Sequence, residues 1–330
     1  MRSASARLPG HPDHACDLVA EAIVDEYVRR DPATRIQVGV VGGRGVMFVS
    51  GDVASTADFD VSALVKRTLG SLGVTDDIEP FVSIEPVDAA LVASFRQHAH
   101  APLTAVGYAT SETPEGMPSV VVDARRVAKA LDAKRTGDPE WFWLGPDAEV
   151  TAFGDGRRID RVVVTLEHGA EPLTSVRRRI EEEVRSIAED ATVLVNPTGA
   201  CERRGLASRS GASGRAVPYG SLIPPAPSTV GRDPLSAEKA GAWLCRAAAR
   251  SLLVDGIRAV QVRATYLPGD VKPSHVVARD EKGNDLTSRL APGVLSLDRV
   301  MAEWWRPGLN VDAHRWGFAG EAGMPWEEGR

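Results

Sequence analysis

The sequence predicts an α/β (α+β) protein of three pseudo-symmetric units, each a mixed sheet with helices on one face. Three observations carry this. The order helix, glycine-turned hairpin, helix occurs three times along the chain. The hairpins begin at residues 36, 149 and 259, spacings of 113 and 110 residues, so the repeats are in register. The chain has 330 residues, too many for one ordinary domain and enough for two or three.

In the first round, residues 15–30 place Leu18, Val19, Ala22, Ile23 and Tyr27 at helical spacing, with Asp13 positioned to cap the start. Strand-like runs at 36–41 and 45–50 meet at Gly42, Gly43 and Arg44, a hairpin signal. A helix near 60–72 follows. The second round has a helix at 120–135, strands at 149–153 and 159–167 around Gly154-Asp155-Gly156, and a charged amphipathic helix at 173–189. The third has a helix at 235–255, strands at 259–266 and 274–280 around Pro268, Gly269 and Asp270, and a helix near 296–305. Residues 199–233 break the pattern, being rich in Gly, Ser, Pro and Arg with almost no apolar periodicity. A stretch that long inside a compact chain is functional or disordered. The aromatic C-terminal tail is expected to pack down. Units at 1–100, 101–203 and 204–330 are expected, interleaved in space.

Composition excludes some classes. Hydrophobic residues make up 43% and charged residues 25%, values of a globular protein. A net charge of −6 gives no footprint for nucleic acid or an anionic membrane. The N-terminus lacks an apolar signal core, and no run approaches the roughly 18 apolar residues of a membrane span, so a cytoplasmic location is expected. Cys16, Cys201 and Cys245 share no CxxC spacing and read as free thiols.

Candidate chemistry gathers at a few places. Gly10-His11-Pro12-Asp13 precedes the first helix, whose free backbone N–H groups and dipole attract anions. His11 there is placed to donate to a phosphate or leaving group, and Asp13 to hold a divalent cation. The blander reading is a proline turn with an Asp cap. Arg203, Arg204, Arg209 and Arg215 punctuate a Gly/Ser-rich loop whose guanidinium forks match phosphate oxygens. It is not a Walker A loop, and a solvated basic loop is the alternative. Arg232 and Asp233, just before the helix at 235, repeat the phosphate-friendly theme. His98 and His100 have no nearby third ligand and read as surface residues before metal ligands.

Ordered landmarks resemble the S-adenosylmethionine synthetase (methionine adenosyltransferase) family across nearly the whole chain. Gly10-His11-Pro12-Asp13 resembles its N-terminal ATP motif, and Ser50-Gly51-Asp52 its Gly-Gly-Glu. Gly107 to Thr113, then Met117-Pro118, resemble its GYAT-x-ET…MP segment, and Gly145-Pro146-Asp147-Ala148 its RPDAK. Asn196-Pro197-Thr198-Gly199 is identical to its NPTG. Gly214-Arg215, Gly231-Arg232-Asp233-Pro234 and Met324-Pro325-Trp326-Glu327 resemble its GRK, GKDP and FPWE. The resemblance implies the three-unit fold and a homodimer or dimer of dimers with active sites between subunits. It also implies displacement of triphosphate from C5′ of ATP by the sulfur of methionine. By position, His11 matches the catalytic His, Asp13 a magnesium ligand, Arg215 and Arg232 triphosphate-binding cations, and Asp52 a methionine-contacting Glu. Asp233, Arg203, Arg204 and Arg209 are expected to bind the substrate beside them.

The departures are equally specific. The lysine of RPDAK aligns with Glu149, the lysine of GRK with Ala216, and an upstream metal-binding Asp with Arg209. The adenine-stacking aromatic aligns with Cys201, and two residues after GKDP align with Ser236 and Glu238. His100, Ala101 and Pro102 stand where the family has a GAGDQG run, and Val87 where its glutamine holds methionine. The run Ser3 to Gly10 replaces an acidic SESVSEG. Each lost transition-state charge contact typically lowers rate about 10²–10³-fold. The expected function is therefore a divergent enzyme acting at C5′ of an adenosine-type substrate (ATP or an S-adenosylmethionine-related nucleoside) in specialised metabolism, with Mg²⁺ an optional cofactor. A working methionine adenosyltransferase and a non-catalytic nucleoside-binding or partner subunit are the alternatives.

Overall fold

The computed structural model describes residues 2–87, 101–156, 158–215, 219, 228–254 and 256–328. His98, His100 and Ala216 lie outside them. In chain order the elements are β1 (Arg2–Arg7), α1 (Pro12–Arg30), β2 (Arg35–Gly43), β3 (Val46–Ala54), α2 (Val61–Ser71), β4 (Glu79–Pro86) and β5 (Leu103–Thr110). Next are α3 (Ser119–Gly137), β6 (Ala148–Gly154), β7 (Ile159–Leu166), α4 (Leu173–Arg185), β8 (Thr192–Val195) and β9 (Gly211–Ala212). The rest are α5 (Ala237–Ser251), β10 (Ala259–Tyr266), β11 (His275–Asp280) and α6 (Leu309–Arg315).

Three sheets form, each around one hairpin: β4-β3-β2-β9, β1-β6-β7-β8 and β11-β10-β5. In the first two, a helix crosses over after the hairpin and returns the chain as a parallel strand, β4 on β3 and β8 on β7. After β11 no such crossover helix follows, and the third sheet is antiparallel among the described residues. Each sheet takes a strand from elsewhere in the chain. β1 pairs with β6, β5 with β10, and β9 with β2. Sheets therefore cross the boundaries near 100 and 203 drawn from sequence.

Three apolar cores lie under the sheets. Leu18, Val19 and Ile23 of α1 meet Val38, Val40 and Val49 in one, and Ala124, Val127 and Leu131 of α3 meet Val150, Val162 and Val164 in another. In the third, Trp243 of α5 stacks on Trp326 with ring centroids 4.2 Å apart, so the aromatic tail does pack down. Glu327 then receives two bonds from buried Arg246, at 2.7 and 2.8 Å.

Some elements differ from expectation. Helix α4 stops at Arg185 rather than 189, where the Ser186 hydroxyl donates to the Glu183 carbonyl and competes with the helical ladder. Near 296–305 a π-turn at Val300–Trp304 is followed, after Pro307 and left-handed Gly308, by α6. Residues 15–30 read as an amphipathic helix, but α1 does not turn its polar face to water. Instead Asp17, Glu21 and Asp25 are buried. At four-residue spacing, Asp13, Asp17, Glu21 and Asp25 accept backbone N–H groups of Ala212, Gly214, Gly231 and Val311 in turn. The acidic stripe thus fastens the loop after β8 and α6 onto α1.

Candidate functional site

The N-terminus of α1 is the centre of the candidate site. Pro12 opens the helix, where its missing N–H costs nothing. His11 is the N-cap, and its Nδ1 accepts the Asp13 N–H at 3.2 Å. With Nδ1 an acceptor, the neutral ring carries its proton on Nε2. The ring is buried, and burial, then Arg7 and Arg209, push its pKa down to about 2. His11 is therefore a neutral hydrogen-bond donor across physiological pH, not an acid.

Close backbone approaches bring three further segments to it. A Cβ on Gly10 would overlap Pro146, so the His11 loop lies directly on the Gly145-Pro146-Asp147 turn. A Cβ on Gly211 would overlap the Pro12 backbone, and one on Gly43 would stand 2.5 Å from the Arg209 carbonyl oxygen. The loop carrying Arg209 is thus wedged between the β2–β3 turn and the start of α1. Arg44 and Gly45, both at positive φ, turn the hairpin, whereas Gly42 and Gly43, expected in the turn, are paired inside β2, where Gly43 lets this loop in.

Charges then pair across these segments. Asp13 receives Arg7 at 3.2 Å on Oδ2, and the Ala212 N–H at 3.0 Å and Arg215 at 3.4 Å on Oδ1. Arg7 lies opposite Glu149 in the β1–β6 register, with Nε 3.6 Å from its carboxylate. Glu149 puts an anion where the family has a lysine, and this cross-strand partner offsets its charge. Asp147, fully buried, accepts Arg209 at 2.9 and 3.2 Å, Arg204 at 3.2 Å and the Gly205 N–H at 2.9 Å.

The structure thus brings His11, Asp13, Arg209 and Arg215 together, with Arg204 joined through Asp147. It adds Arg7, which motif reading did not single out, and gives Asp147, of the segment resembling RPDAK, a place in the charge network. The available signal was the strand register, which appears only once β1 is paired. Asp52 and Arg232 lie apart, on the open face of the β4-β3-β2 sheet. Gln37 sits opposite Asp52 and accepts a hydrogen bond from Arg232. Arg203 faces a shallow cleft with Arg44, Asp76 and Asp77, and pairs with Asp76 at 3.4 Å. Asp233 is buried and engaged by Arg35 at 3.1 Å and the Ile36 N–H at 3.0 Å. Its expected contact with substrate gives way to a structural role, because both oxygens are committed within the fold. Asn196 of the identical NPTG segment is likewise structural: it exchanges two bonds with the Leu166 backbone, at 2.9 and 3.0 Å.

Magnesium, which the resemblance implies at Asp13, does not fit this donor set. Both Asp13 oxygens already accept guanidinium groups. No cluster of three or more His, Cys, Asp or Glu side chains suited to a metal occurs among the described residues. The position expected to supply a second carboxylate is Arg209.

One turn along α1, Asp17 accepts the Gly214 N–H at 2.6 Å, and burial pushes its pKa up to about 8. The folded state keeps this proton while the unfolded chain, with an ordinary value of 3.8, has lost it. Its stabilising effect therefore declines as pH rises through the window from about 4 to about 8. The depressed pKa of His11 acts with the opposite sign, and only below its ordinary 6.5. Between pH 6.5 and 8 the unfolding free energy is expected to fall by about 1–2 kcal/mol on account of Asp17. Denaturant melts of wild type and Asp17→Asn across that range check this, the variant lacking that part of the slope.

Comparison with known proteins agrees with this architecture. Residues 2–97 match the family model of the S-adenosylmethionine synthetase N-terminal domain, and residues 97–201 that of the central domain. The S-adenosylmethionine synthase of Myxococcus xanthus is 28% identical over 299 residues, 81% of this chain and 75% of its own. S-adenosylmethionine synthase 1 of Frankia casuarinae is 29% identical over 312 residues, 80% of this chain and 78% of its own. The S-adenosylmethionine synthase of Parasynechococcus marenigrum is 26% identical over 317 residues, 81% and 76% respectively.

Proposed function

The chain belongs to the S-adenosylmethionine synthetase family, and from that premise we propose that it is a divergent transferase acting at C5′ of an adenosine-type substrate. The substrate is ATP or an S-adenosylmethionine-related nucleoside, and the second substrate or the reaction differs from the family's, as suits specialised metabolism. The observation that carries this is a neutral His11 with its Nε2–H, set among Arg7, Arg209 and Arg215 at a helix N-terminus. In a displacement at C5′, the nucleophile's lone pair forms the new bond and the leaving group departs with the electrons of the old one. For ATP, negative charge then grows on the phosphate oxygen. A neutral N–H donor and fixed guanidinium groups stabilise it without moving a proton.

A second copy of the chain completes this reading. Phe48 and Phe81 stack at 5.3 Å on the open face of the β4-β3-β2 sheet and are half exposed, beside exposed Val41. An apolar patch on a flat sheet face fits a homodimer. The family resemblance implies active sites between subunits, and Asp52 and Arg232, on the same face, would then be offered to the partner's site. Light scattering tests it: a dimer is expected, and Phe48→Glu is expected to yield monomer. No helix among the described residues is long and apolar enough to cross a membrane, in keeping with a cytoplasmic enzyme.

Methionine adenosyl transfer itself is the second reading, favoured by retention of His11, Asp13 and Arg215 at matched positions. Incubation with ATP, methionine and Mg²⁺ separates the two. S-adenosylmethionine formed at ordinary turnover supports the second reading and sinks the first. Absence of product, together with ATP or S-adenosylmethionine binding that Arg215→Ala abolishes, supports the first. Absence of any nucleoside binding leaves a partner subunit.

A further inference from the structure

We propose that the His11 site holds the phosphate groups of its substrate without a divalent cation, the guanidinium groups of Arg209 and Arg7 supplying the positive charge. This rests on the reading above, that the site takes a phosphate-bearing nucleoside.

Three observations converge. First, the carboxylates that could ligate a metal are consumed by arginines. Asp13 holds Arg7 and Arg215, Asp147 holds Arg204 and Arg209, and Glu149 holds Arg7. Four guanidinium groups face three carboxylates in this network. A magnesium ion arriving here would displace fixed cations and be repelled by them. Second, the two key arginines are pre-oriented. Asp147 grips Arg209 through Nη2 alone, and Glu149 lies across the strand pair from Arg7. Third, Arg209 Nε is buried with no acceptor among the described residues. A buried N–H without an acceptor is costly, and a phosphate oxygen would satisfy it in the fork geometry guanidinium prefers. Arg7 meets Asp13 in the first turn of α1 at 3.2 Å, and the loop carrying Arg209 packs on the Pro12 backbone at Gly211. An anion held by them would therefore lie at the helix N-terminus, beside the His11 donor.

Lysine would not serve as well. It presents a point charge without the planar fork, and it could not keep one edge on Asp147 while offering the other to a ligand. The exchange of Asp for Arg at 209 and of Lys for Glu at 149 then make one change. A cation has moved from bound metal to side chain, and the strand partner of Arg7 has been made acidic to hold it.

Calorimetry of the full-length protein with inorganic tripolyphosphate, first in EDTA and then in excess Mg²⁺, tests the proposal. Binding is expected in EDTA. It is expected to weaken roughly tenfold or more with Mg²⁺, which takes up the charge the arginines would meet. Arg209→Ala is expected to weaken binding in EDTA roughly 10–100-fold, with Arg209→Lys recovering only part. Arg7→Gln, outside the Asp147 cluster, is expected to act in the same direction and serves if Arg209→Ala does not fold. Binding seen only with Mg²⁺, binding in neither condition, or binding unchanged by both Arg209→Ala and Arg7→Gln would overturn the proposal. Adenosine and S-adenosylmethionine, titrated in parallel, keep the two readings apart. If nucleotides bind only as magnesium complexes, the metal-free site falls and the adenosyl reading stands. If tripolyphosphate binds in EDTA but no adenosine compound does, the metal-free site stands and the adenosyl reading falls.

Discussion

Replacing Lys239 by methionine is expected to destabilise the fold by about 3–5 kcal/mol, the usual cost of stranding one partner of a buried ion pair. Lys239 and Glu21 are both fully buried and 2.5 Å apart. The ammonium also donates to Asn310 at 2.9 Å, and Glu21 also accepts the Gly231 N–H at 2.8 Å. Asn310 in turn donates to Asp25 at 2.8 Å. One lysine of α5 thus neutralises Glu21 within the stripe that joins α1 to α6. Without it, burial already raises the Glu21 pKa, and the carboxyl would take up a proton rather than remain charged. That response limits the loss to the range given. Urea melts at pH 7 read it. The double variant Glu21→Gln with Lys239→Met is expected to recover most of the stability, since no charge is then stranded. A loss under 1 kcal/mol in the single variant would mean that the pair is effectively solvated.

His11→Ala is expected to lower the rate of adenosyl transfer roughly 10²–10³-fold with the fold intact. The structural loss is one cap hydrogen bond, about 1 kcal/mol. His11→Gln, which keeps a side-chain N–H, is expected to recover part of the rate. The pH profile distinguishes a neutral donor from an acid. With its pKa pushed down to about 2, His11 contributes no limb to the rate profile near pH 6.5. A limb there that vanishes in the alanine variant would show that the ring titrates during turnover.

Much of the fold was legible because its hairpins carry local signals. Alternation and glycine turns mark β2–β3, β6–β7 and β10–β11, and these are the strand pairs at the heart of the three sheets. β1, β4, β5, β8 and β9 were not assigned as strands; β4 and β8 are parallel edge strands with no hairpin turn to mark them, and β1, β5 and β9 each pair with a distant segment, which leaves no period in the sequence. The buried side of α1 was hidden for the same reason. Asp17 and Glu21 look solvated until an irregular loop, itself without periodicity, brings amides to them.

The site was legible in part. His11, Asp13, Arg209 and Arg215 stood out from motif and loop chemistry, and the fold assembles them. Arg7 required the register with Glu149. Landmarks that match the family best proved to be structural. Asn196 locks two backbone segments, Gly107 admits the Cys245 backbone, and Trp326 fills a core. Identity at those positions reports the fold, while the substitutions at 149 and 209 report the charge arrangement of the site.

Calorimetric titration of wild type and of His11→Ala, Arg215→Ala and Asp233→Asn with ATP and with S-adenosylmethionine tests the central claim most directly. At least one nucleoside is expected to bind wild type. The first two variants are expected to weaken it tenfold or more, while Asp233→Asn, whose carboxylate is committed inside the fold, alters stability rather than affinity. Failure of both nucleosides to bind wild type, or binding indifferent to His11 and Arg215, would contradict an adenosyl-transfer site at the start of α1.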